Sequence, residues 1–275
     1  MTPRVSIIST VYNGAAYRDR APPSILAQTL ADFEWVIVDD GSDDDTPHLL
    51  AELGARDARV RVVSAGRLGR AAALNLAVEN ARAGYIANQD FDDVSTPERL
   101  AHQAAFLDSH PEVGWLGGHY VLIDENRKER YIRMPATSHA GILREMAKNL
   151  PFAHTTVMFR KQAWADAGGY PPVANLVDFR LAVSMASCGW RFANLPEVLG
   201  THYVHAASFW HRHFRYRDRQ FDLAAAQREA IRRLGLPAWM NIWPLGRYAY
   251  GYLPHGLKRQ IRRRIAAARE HDVAA

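Results

Sequence analysis

At 275 residues with 48% apolar content, the chain is long enough to bury a full core, which excludes a disordered segment. Cys188 is the single cysteine, which excludes an internal disulfide and a thiolate metal site and points to a reducing, cytoplasmic setting. No run approaches the ~20 consecutive apolar residues of a bilayer span, and Met1 to Thr10, with one Arg and with Ser6 interrupting its apolar run, is too short and polar for a signal peptide. The net charge of +5 is uneven: His211 to Ala275 holds 14 Lys or Arg against 5 Asp or Glu, whereas Met1 to Trp210 holds 20 against 24. The basic tail reads as a solvated helix or as a surface for anionic lipid or an anionic acceptor, and places the chain in the cytoplasm or peripherally on the inner membrane face.

Along the chain, Arg4 to Thr10 reads as a buried strand, and Val11-Tyr-Asn-Gly14 follows with turn chemistry. Helical spacing over Ala21 to Leu30 leads to a second buried strand, Glu34 to Val38, which ends on Asp39-Asp40-Gly41-Ser42. Helix Thr46 to Leu53, strand Val60 to Ser64, helix Ala71 to Ala83 and strand Tyr85 to Asn88 continue the alternation. This predicts an α/β fold: a Rossmann-like, mostly parallel sheet with helices on both faces. Beyond residue 100 the reading is less regular, with a gap from Gly114 to Gly118, a helix over Ala140 to Lys148 and a strand over Thr155 to Arg160. After His205, Arg- and Ala-rich helices punctuated by Pro237, Pro244 and Pro254 read as a helical appendage. The expected organisation is therefore a domain over 1–210, with a nucleotide-binding half 1–100 and an acceptor half 101–210, followed by an extension over 211–275.

In open α/β sheets ligands bind beyond the carboxyl ends of the strands, and three such ends carry Thr10 to Tyr12, Asp39-Asp40 and Asp90-Phe-Asp-Asp93. Crowded carboxylates repel unless a cation neutralises them, so the third cluster suits Mg²⁺ or Mn²⁺ shared with diphosphate oxygens. Its structural alternative is an acidic loop capping the next helix through Asp93, with Ser95-Thr-Pro-Glu98 resembling a capping box and Pro97 as the first helical residue. Asp39 and Asp40 offer acceptors to a base N–H or to ribose hydroxyls, or else form a turn before the helix at Thr46. Tyr12 can stack on a base or simply pack.

Val5-Ser-Ile-Ile-Ser-Thr-Val-Tyr-Asn-Gly14, Ser24-Ile-Leu-Ala-Gln-Thr29, Phe33-Glu-Trp-Val-Ile-Val-Asp-Asp-Gly-Ser42, Gly69 through Ala73-Leu-Asn75, Tyr85-Ile through Asp90-Phe-Asp-Asp93, and Pro97-Glu-Arg-Leu100 resemble, in order and spacing, family 2 glycosyltransferases. The resemblance covers roughly the first 210 residues. It implies a GT-A fold, a nucleotide-sugar donor, a divalent metal (Mn²⁺ or Mg²⁺) and inversion at the anomeric carbon. Carried over, it implies that Thr10, Tyr12 and Asp40 contact the nucleoside, with Asp39 beside them. Asp90 and Asp92 form the Asp-x-Asp pair, Asp92 being the more direct metal ligand. The family's nucleotide-facing Arg lies near Gly69, which Arg67 and Arg70 flank here; Arg70 is taken for the role. Phe152-Ala-His-Thr-Thr-Val-Met-Phe-Arg160, Ala167-Gly-Gly-Tyr170 and Val177-Asp-Phe-Arg-Leu181 resemble the acceptor half, with Asp178 at the position of the catalytic base. The family's usual Glu before that Asp is Val177 here, and a frequent second Asp is Arg180. His205, following Leu195-Pro-Glu-Val-Leu199, is the implied metal or diphosphate contact, with His202 as its alternative. His154 and Asp93 are assigned to the acceptor region.

The implied reaction moves a sugar from a nucleotide diphosphate, read as a uridine one, to an acceptor nucleophile, with Asp178 taking the proton and the metal answering the charge on the diphosphate. The acceptor class, whether glycan, lipid-linked, peptide or small molecule, stays open, and no nucleic acid is expected. A membrane contact through the basic tail and a homodimer are the further partner expectations. A nucleotidyltransferase of related fold is one alternative, against which stands the lack of a Gly-rich phosphate loop with a Lys near the N-terminus. A non-catalytic nucleotide-sugar binder is the other, motivated by Val177.

Overall fold

The structure, a computed structural model, describes residues 2–206, 215–253 and 256–258. Its strands are β1 (Val5–Val11), β2 (Phe33–Asp39), β3 (Val60–Ser64), β4 (Tyr85–Asn88), β5 (Val94–Ser95), β6 (Val113–Asp124), β7 (Glu129–Arg133), β8 (Met158–Arg160) and β9 (Arg191–Val204). They form one sheet in the order β3-β2-β1-β4-β8-β6-β9-β5, with β7 paired to β6. The first four strands are parallel, as continuous apolar runs joined by helices require. From β8 onward the pairing is mixed: β8 runs antiparallel to β4 and β6, β9 parallel to β6, and β5 antiparallel to β9.

Side-chain alternation along the strands divides the core into two layers. Ile8, Val38, Ile86, Trp115, Phe159 and Phe192 point to one face, where helices α3 (Arg70–Asn80), α5 (His139–Met146), α6 (Lys161–Asp166) and α7 (Val177–Ser187) pack. Ile7, Ile37, Ala87, Leu116 and Met158 point to the other, covered by α1 (Ala21–Leu26), α2 (Thr46–Arg56) and α4 (Arg99–Ser109). Fully burying a side chain such as Leu100 or Leu107 contributes about 1.5–3 kcal/mol, which fixes α4 beneath the sheet.

Two expectations are corrected here. The stretch from Gly114 to Gly118 is no gap but part of the 12-residue strand β6. Its glycines make room for neighbours: a Cβ at Gly117 would lie 2.3 Å from Asn194 Oδ1, and one at Gly118 would lie 2.5 Å from Leu199 Cδ1. The capping box does not form either. Helix α4 begins at Arg99, Glu98 makes no side-chain cap bond, and Ser95 lies in β5 with its hydroxyl donated to Gln89 Oε1.

The C-terminal helices α8 (Tyr216–Arg233) and α9 (Ile242–Tyr252) pack on each other and on the body. Helix α8 places Leu223, Ala226 and Ala230 in the same apolar layer as α7 and Phe192, so the extension is continuous with the core. Most of the basic tail, residues 259–275, lies outside the described residues.

Candidate active site

Parallel pairing brings the strand ends to one edge: Thr10 lies opposite Val38, Val11 opposite Asp39, and Ile8 opposite Asn88. Thr10 is half-buried there and Tyr12 exposed. The Arg67 guanidinium lies 3.4 Å from the centroid of the Tyr12 ring and donates to Asp40 Oδ2 at 3.1 Å. Asp40 is buried and also accepts from the backbone N–H of Leu68 at 2.6 Å and of Gly69 at 3.0 Å. Its carboxylate therefore ties the end of β2 to the 67–69 loop, with both oxygens engaged. Asp39 accepts from the Ser42 N–H at 3.0 Å, closing the turn over Gly41. Gly41 (φ 76°) and Gly69 (φ 88°) are left-handed, a conformation costly for other residues, and Gly69 lets the loop fold onto Asp40 before α3 starts.

The acidic loop after β4 divides its carboxylates among three sets of partners. Asp90 accepts from Arg70 Nη2 at 3.1 Å and from Asn88 Nδ2 at 3.3 Å. Burial works to raise its carboxyl, but Arg70 leads the surrounding charges that outweigh this and hold it at about 2. Asp92 Oδ2 lies 2.8 Å from His205 Nε2, and His205 Nδ1 lies 3.2 Å from the Tyr17 hydroxyl. Asp93 is fully buried, 2.9 Å from His202 Nδ1, and accepts from the Tyr203 N–H at 2.7 Å. Burial pushes Asp93 up to about 6; burial opposes charge on His202 too, yet Asp93 beside it outweighs that and pushes the imidazole up to about 9. The assignment of Asp93 to the acceptor region is corrected: no part of it reaches the cleft, because its oxygens pin β9 to the loop. His202 is occupied by the same pair, so of the two histidines His205 is the one that meets the Asp-x-Asp motif.

Arg70, Asp90, Asp92, His154, Asp178 and His202 line one cleft of about 510 Å³. Arg67 and Arg70 thus serve different places, the first at Asp40 and Tyr12, the second in the cleft. Asp178 stands in the first turn of α7, whose N-terminus favours a carboxylate. The residue before that helix, Leu176, is buried and left-handed (φ 52°, ψ 34°), a strained state for a bulky side chain. Neighbouring Asn175 donates to Asp222 Oδ2 on α8 at 2.6 Å, which braces the turn. His154 is buried, with Nδ1 3.4 Å from Arg70 Nη2 and Nε2 2.9 Å from the Tyr170 hydroxyl. Arg can only donate, so Nδ1 accepts and Nε2–H donates to Tyr170. Burial lowers His154, in keeping with that uncharged form, and pushes Tyr170 well up.

Several contributors were not foreseen. Arg99 is buried under the acidic loop and uses all its donors: Nε to Gln103 Oε1, Nη1 to Gln89 Oε1 and Ser95 Oγ, Nη2 to the carbonyls of Asn88 and Val157. Burial pulls it down to about 9, against the raising influence of Asp90 and Asp93. A cation on the first residue of a helix opposes the macrodipole, and that oddity was the available sequence signal. Arg20 donates to the Asp92 carbonyl at 3.0 Å and lies 4.1 Å from the Tyr203 ring centroid. Arg133, Arg219 and Arg247 line the far wall of the cleft, two of them from the C-terminal helices.

Among the described residues, no three or more His, Cys, Asp or Glu side chains converge as a ready metal cage. The Asp92–His205 pair still suits an octahedral cation that shares substrate oxygens. Neighbouring ligands at about 2.1 Å from such an ion stand about 3 Å apart, close to the 2.8 Å between these two atoms.

Residues 6–169 match the sequence profile of Glycosyl transferase family 2. EpsE of Bacillus subtilis (strain 168), which carries a glycosyltransferase name, is 33% identical over 240 residues, covering 86% of this chain and 84% of the relative. The amylovoran biosynthesis glycosyltransferase AmsE of Erwinia amylovora is 32% identical over 197 residues, covering 70% and 74%. Among solved structures, the mannosyltransferase PcManGT of Pyrobaculum calidifontis, in complex with GDP-Man and Mn²⁺, aligns with a TM-score of 0.67 at 22% identity over 98% of this chain and 81% of its own. S. aureus TarS in complex with UDP-GlcNAc aligns with a TM-score of 0.65 at 17% identity over 90% and 72%. The structural likenesses carry the fold, and the profile and relatives carry the family: the chain belongs to glycosyl transferase family 2 and is a glycosyltransferase of GT-A fold.

Proposed function

We propose that the chain transfers a sugar from a nucleoside diphosphate donor to an acceptor hydroxyl by a single displacement with inversion, assisted by Mn²⁺ or Mg²⁺. The observation that carries this reading is the shared cleft: Asp178 faces the same cavity as Asp90 and Asp92. Its volume of about 510 Å³ is within the usual range for small-molecule sites. The solved complexes of PcManGT with GDP-Man and TarS with UDP-GlcNAc support a nucleotide-sugar donor, which we read as a uridine one.

Thr10, Tyr12, Asp39 and the loop held by Asp40 form the nucleoside end, at the strand tips of residues 1–100. Arg70 faces the diphosphate, kept in place by Asp90 and His154. The acceptor oxygen attacks the anomeric carbon, its proton passes to Asp178, and the electron pair of the breaking sugar–phosphate bond leaves with the diphosphate. A positioned base of this kind contributes about 100-fold to 10,000-fold in rate. Asp92 and His205 would hold the cation, which stabilises the diphosphate as a Lewis acid when bound. The Tyr17 hydroxyl can donate to or accept from His205 Nδ1, so it orients the imidazole whichever nitrogen carries the proton.

The far wall supports an acceptor that carries a phosphate or carboxylate. Among the described residues, Arg247 meets only neutral acceptors, Gln227, Gln220 and the Lys148 carbonyl, and Arg219 Nε has no hydrogen-bond partner. Titration calorimetry with uridine diphosphate tests the donor site: Mn²⁺ strengthens binding to the parent chain and not to Asp92→Ala, and equal affinities with and without Mn²⁺ refute the metal role. Slow release of free sugar from the donor in the presence of Mn²⁺ separates an enzyme from a binder, which releases none.

A further inference from the structure

Helix α9 and the short 3-10 turn before it, Ala238–Asn241, are built inside out. From Pro237 to Leu253 the one charged side chain is Arg247, and it points inward, donating to Gln227, Gln220 and the Lys148 carbonyl. The outward residues are apolar or aromatic: Trp239 is 65% exposed, Ile242 62%, Trp243 45%, Leu245 54% and Tyr252 72%. Ile242, Leu245, Ala249 and Tyr252 fall at helical spacing on one face. A helix bathed in water shows the reverse arrangement, and a contiguous exposed apolar face of this kind marks a docking surface.

The charge around this face identifies the occupant. The Lys148 ammonium lies 5.2 Å from the Trp243 ring centroid. Arg228, Arg232, Asn241 and Tyr248 line an open groove alongside, in which the one carboxylate, Glu229, is already paired with Arg180 and Arg233. In the sequence that follows the helix, Lys258 to Arg269 holds six Lys or Arg and no Asp or Glu, nearly all of it outside the described residues. Trp and Tyr over an apolar strip with a cationic rim match the headgroup region of an anionic bilayer. A second copy fits less well, because a two-fold contact would set one cationic rim against another.

We infer that the exposed face of α9, with Trp239 beside it, docks on an anionic membrane surface. Arg247 leaves the opposite side of the same helix to line the cleft, so a docked bilayer lies about one helix diameter, ~10 Å, from it. Docking needs no donor, and its test is independent of the proposed reaction.

The test is co-sedimentation of the full chain with vesicles of phosphatidylcholine alone and of phosphatidylcholine mixed with phosphatidylglycerol, at low and high salt. Binding is expected to the anionic vesicles, to weaken with salt, and to fall at least about tenfold in Trp239→Ser/Trp243→Ser and in Ile242→Ser/Leu245→Ser, which leave the basic tail intact. Any of four results overturns the inference. Absent binding to either vesicle denies the partner, and equal binding by the variants assigns it to the tail. A dimer of the parent chain lost in the variants assigns the face to a second copy, and a clear drop in melting temperature without lipid means that the chain itself covers the face.

Discussion

Replacing Arg99 with Met tests whether one buried guanidinium holds the acidic loop from below. Arg99 is 1% exposed, and its Nη2 donates to the Asn88 carbonyl at 2.8 Å and to the Val157 carbonyl at 3.0 Å, joining the end of β4 to the segment before β8. Its Nη1 reaches Ser95 Oγ at 2.9 Å and Gln89 Oε1 at 3.2 Å, on the two sides of the acidic loop, and Nε meets Gln103 at 3.1 Å. Met fills nearly the same space and removes every donor: Gln89 Oε1 still accepts from the Ser95 hydroxyl and the Val157 carbonyl from the Asn88 N–H, but the Asn88 carbonyl and Gln103 Oε1 lose the guanidinium. Each such bond from a charged donor has a net worth of about 1.5–3 kcal/mol, but releasing the guanidinium from burial recovers several kcal/mol. The remaining loss is about 3–5 kcal/mol, within what two unsatisfied buried acceptors give at about 1–3 kcal/mol each.

At roughly 2–4 °C per kcal/mol for a domain of this size, Arg99→Met should melt about 6–20 °C below the parent chain. Arg99→Lys keeps the charge but has three donors for five acceptors, and should fall between the two. Thermal unfolding followed by circular dichroism reads both. A Met variant within about 1 kcal/mol of the parent would refute the reasoning, because the loop would then be held by its own turns and by His202 and His205 at the end of β9.

Asp178→Asn should lower turnover by about 100-fold to 10,000-fold with nucleotide affinity unchanged, since only proton acceptance is lost; steady-state kinetics with calorimetry checks this, and full activity would place the base elsewhere. Asp222→Ala should lower kcat about tenfold at constant donor affinity, because Asn175 loses its 2.6 Å bond and the strain of roughly 1–3 kcal/mol at Leu176 can relax away from Asp178. Asp222→Asn keeps an acceptor oxygen and should restore most of that activity; no rescue would separate Asp222 from the base. Glu34 is buried, and although burial raises its carboxyl, the bonds from Ser6, the Arg82 N–H, Arg61 and Arg82 together hold it below 4.5. A carboxylate with a depressed folded value stabilises fully above its unfolded value and loses that contribution as pH falls through the folded one. Urea unfolding in acid should therefore show a decline below pH 4.5 that is shallower in Glu34→Gln, and identical slopes would assign the acid response to other groups.

The parallel half was legible because buried parallel strands are near-continuous apolar runs, and Val5–Val11, Phe33–Asp39 and Val60–Ser64 fall close to where those runs predict them. The second half was harder because its pattern answers to distant neighbours. Gly114, Gly117 and Gly118 read as a break, yet they stand in β6 because Trp190, Asn194 and Leu199 need the space a Cβ would fill. Site residues at strand ends could be found from the turn chemistry that follows each strand. Their partners could not: Tyr17 and His205 are 188 residues apart, and Asn175 and Asp222 are 47 apart. The extension after residue 210 reads as an appendage from its Arg and Ala content, but Leu223, Ala226 and Ala230 recur at helical spacing and complete a layer of the core.

Three carboxylates in four residues look equivalent in a sequence, and their partners rank them. Asp90 faces Arg70, a cation that cannot lose its charge, so a metal there would have to displace a permanent ion pair. Asp93 is fully buried between His202 and the Tyr203 N–H, and drawing it toward a metal would unpin β9. Asp92 faces a group that can change its proton position without unpinning a strand. If His205 moves its hydrogen from Nε2 to Nδ1, the Tyr17 hydroxyl accepts it, and both Asp92 Oδ2 and His205 Nε2 turn lone pairs to the space between them. Because that hydroxyl can donate to or accept from Nδ1, it partners the imidazole in both tautomers, and this favours Asp92 over its two neighbours as the ligand of a divalent cation.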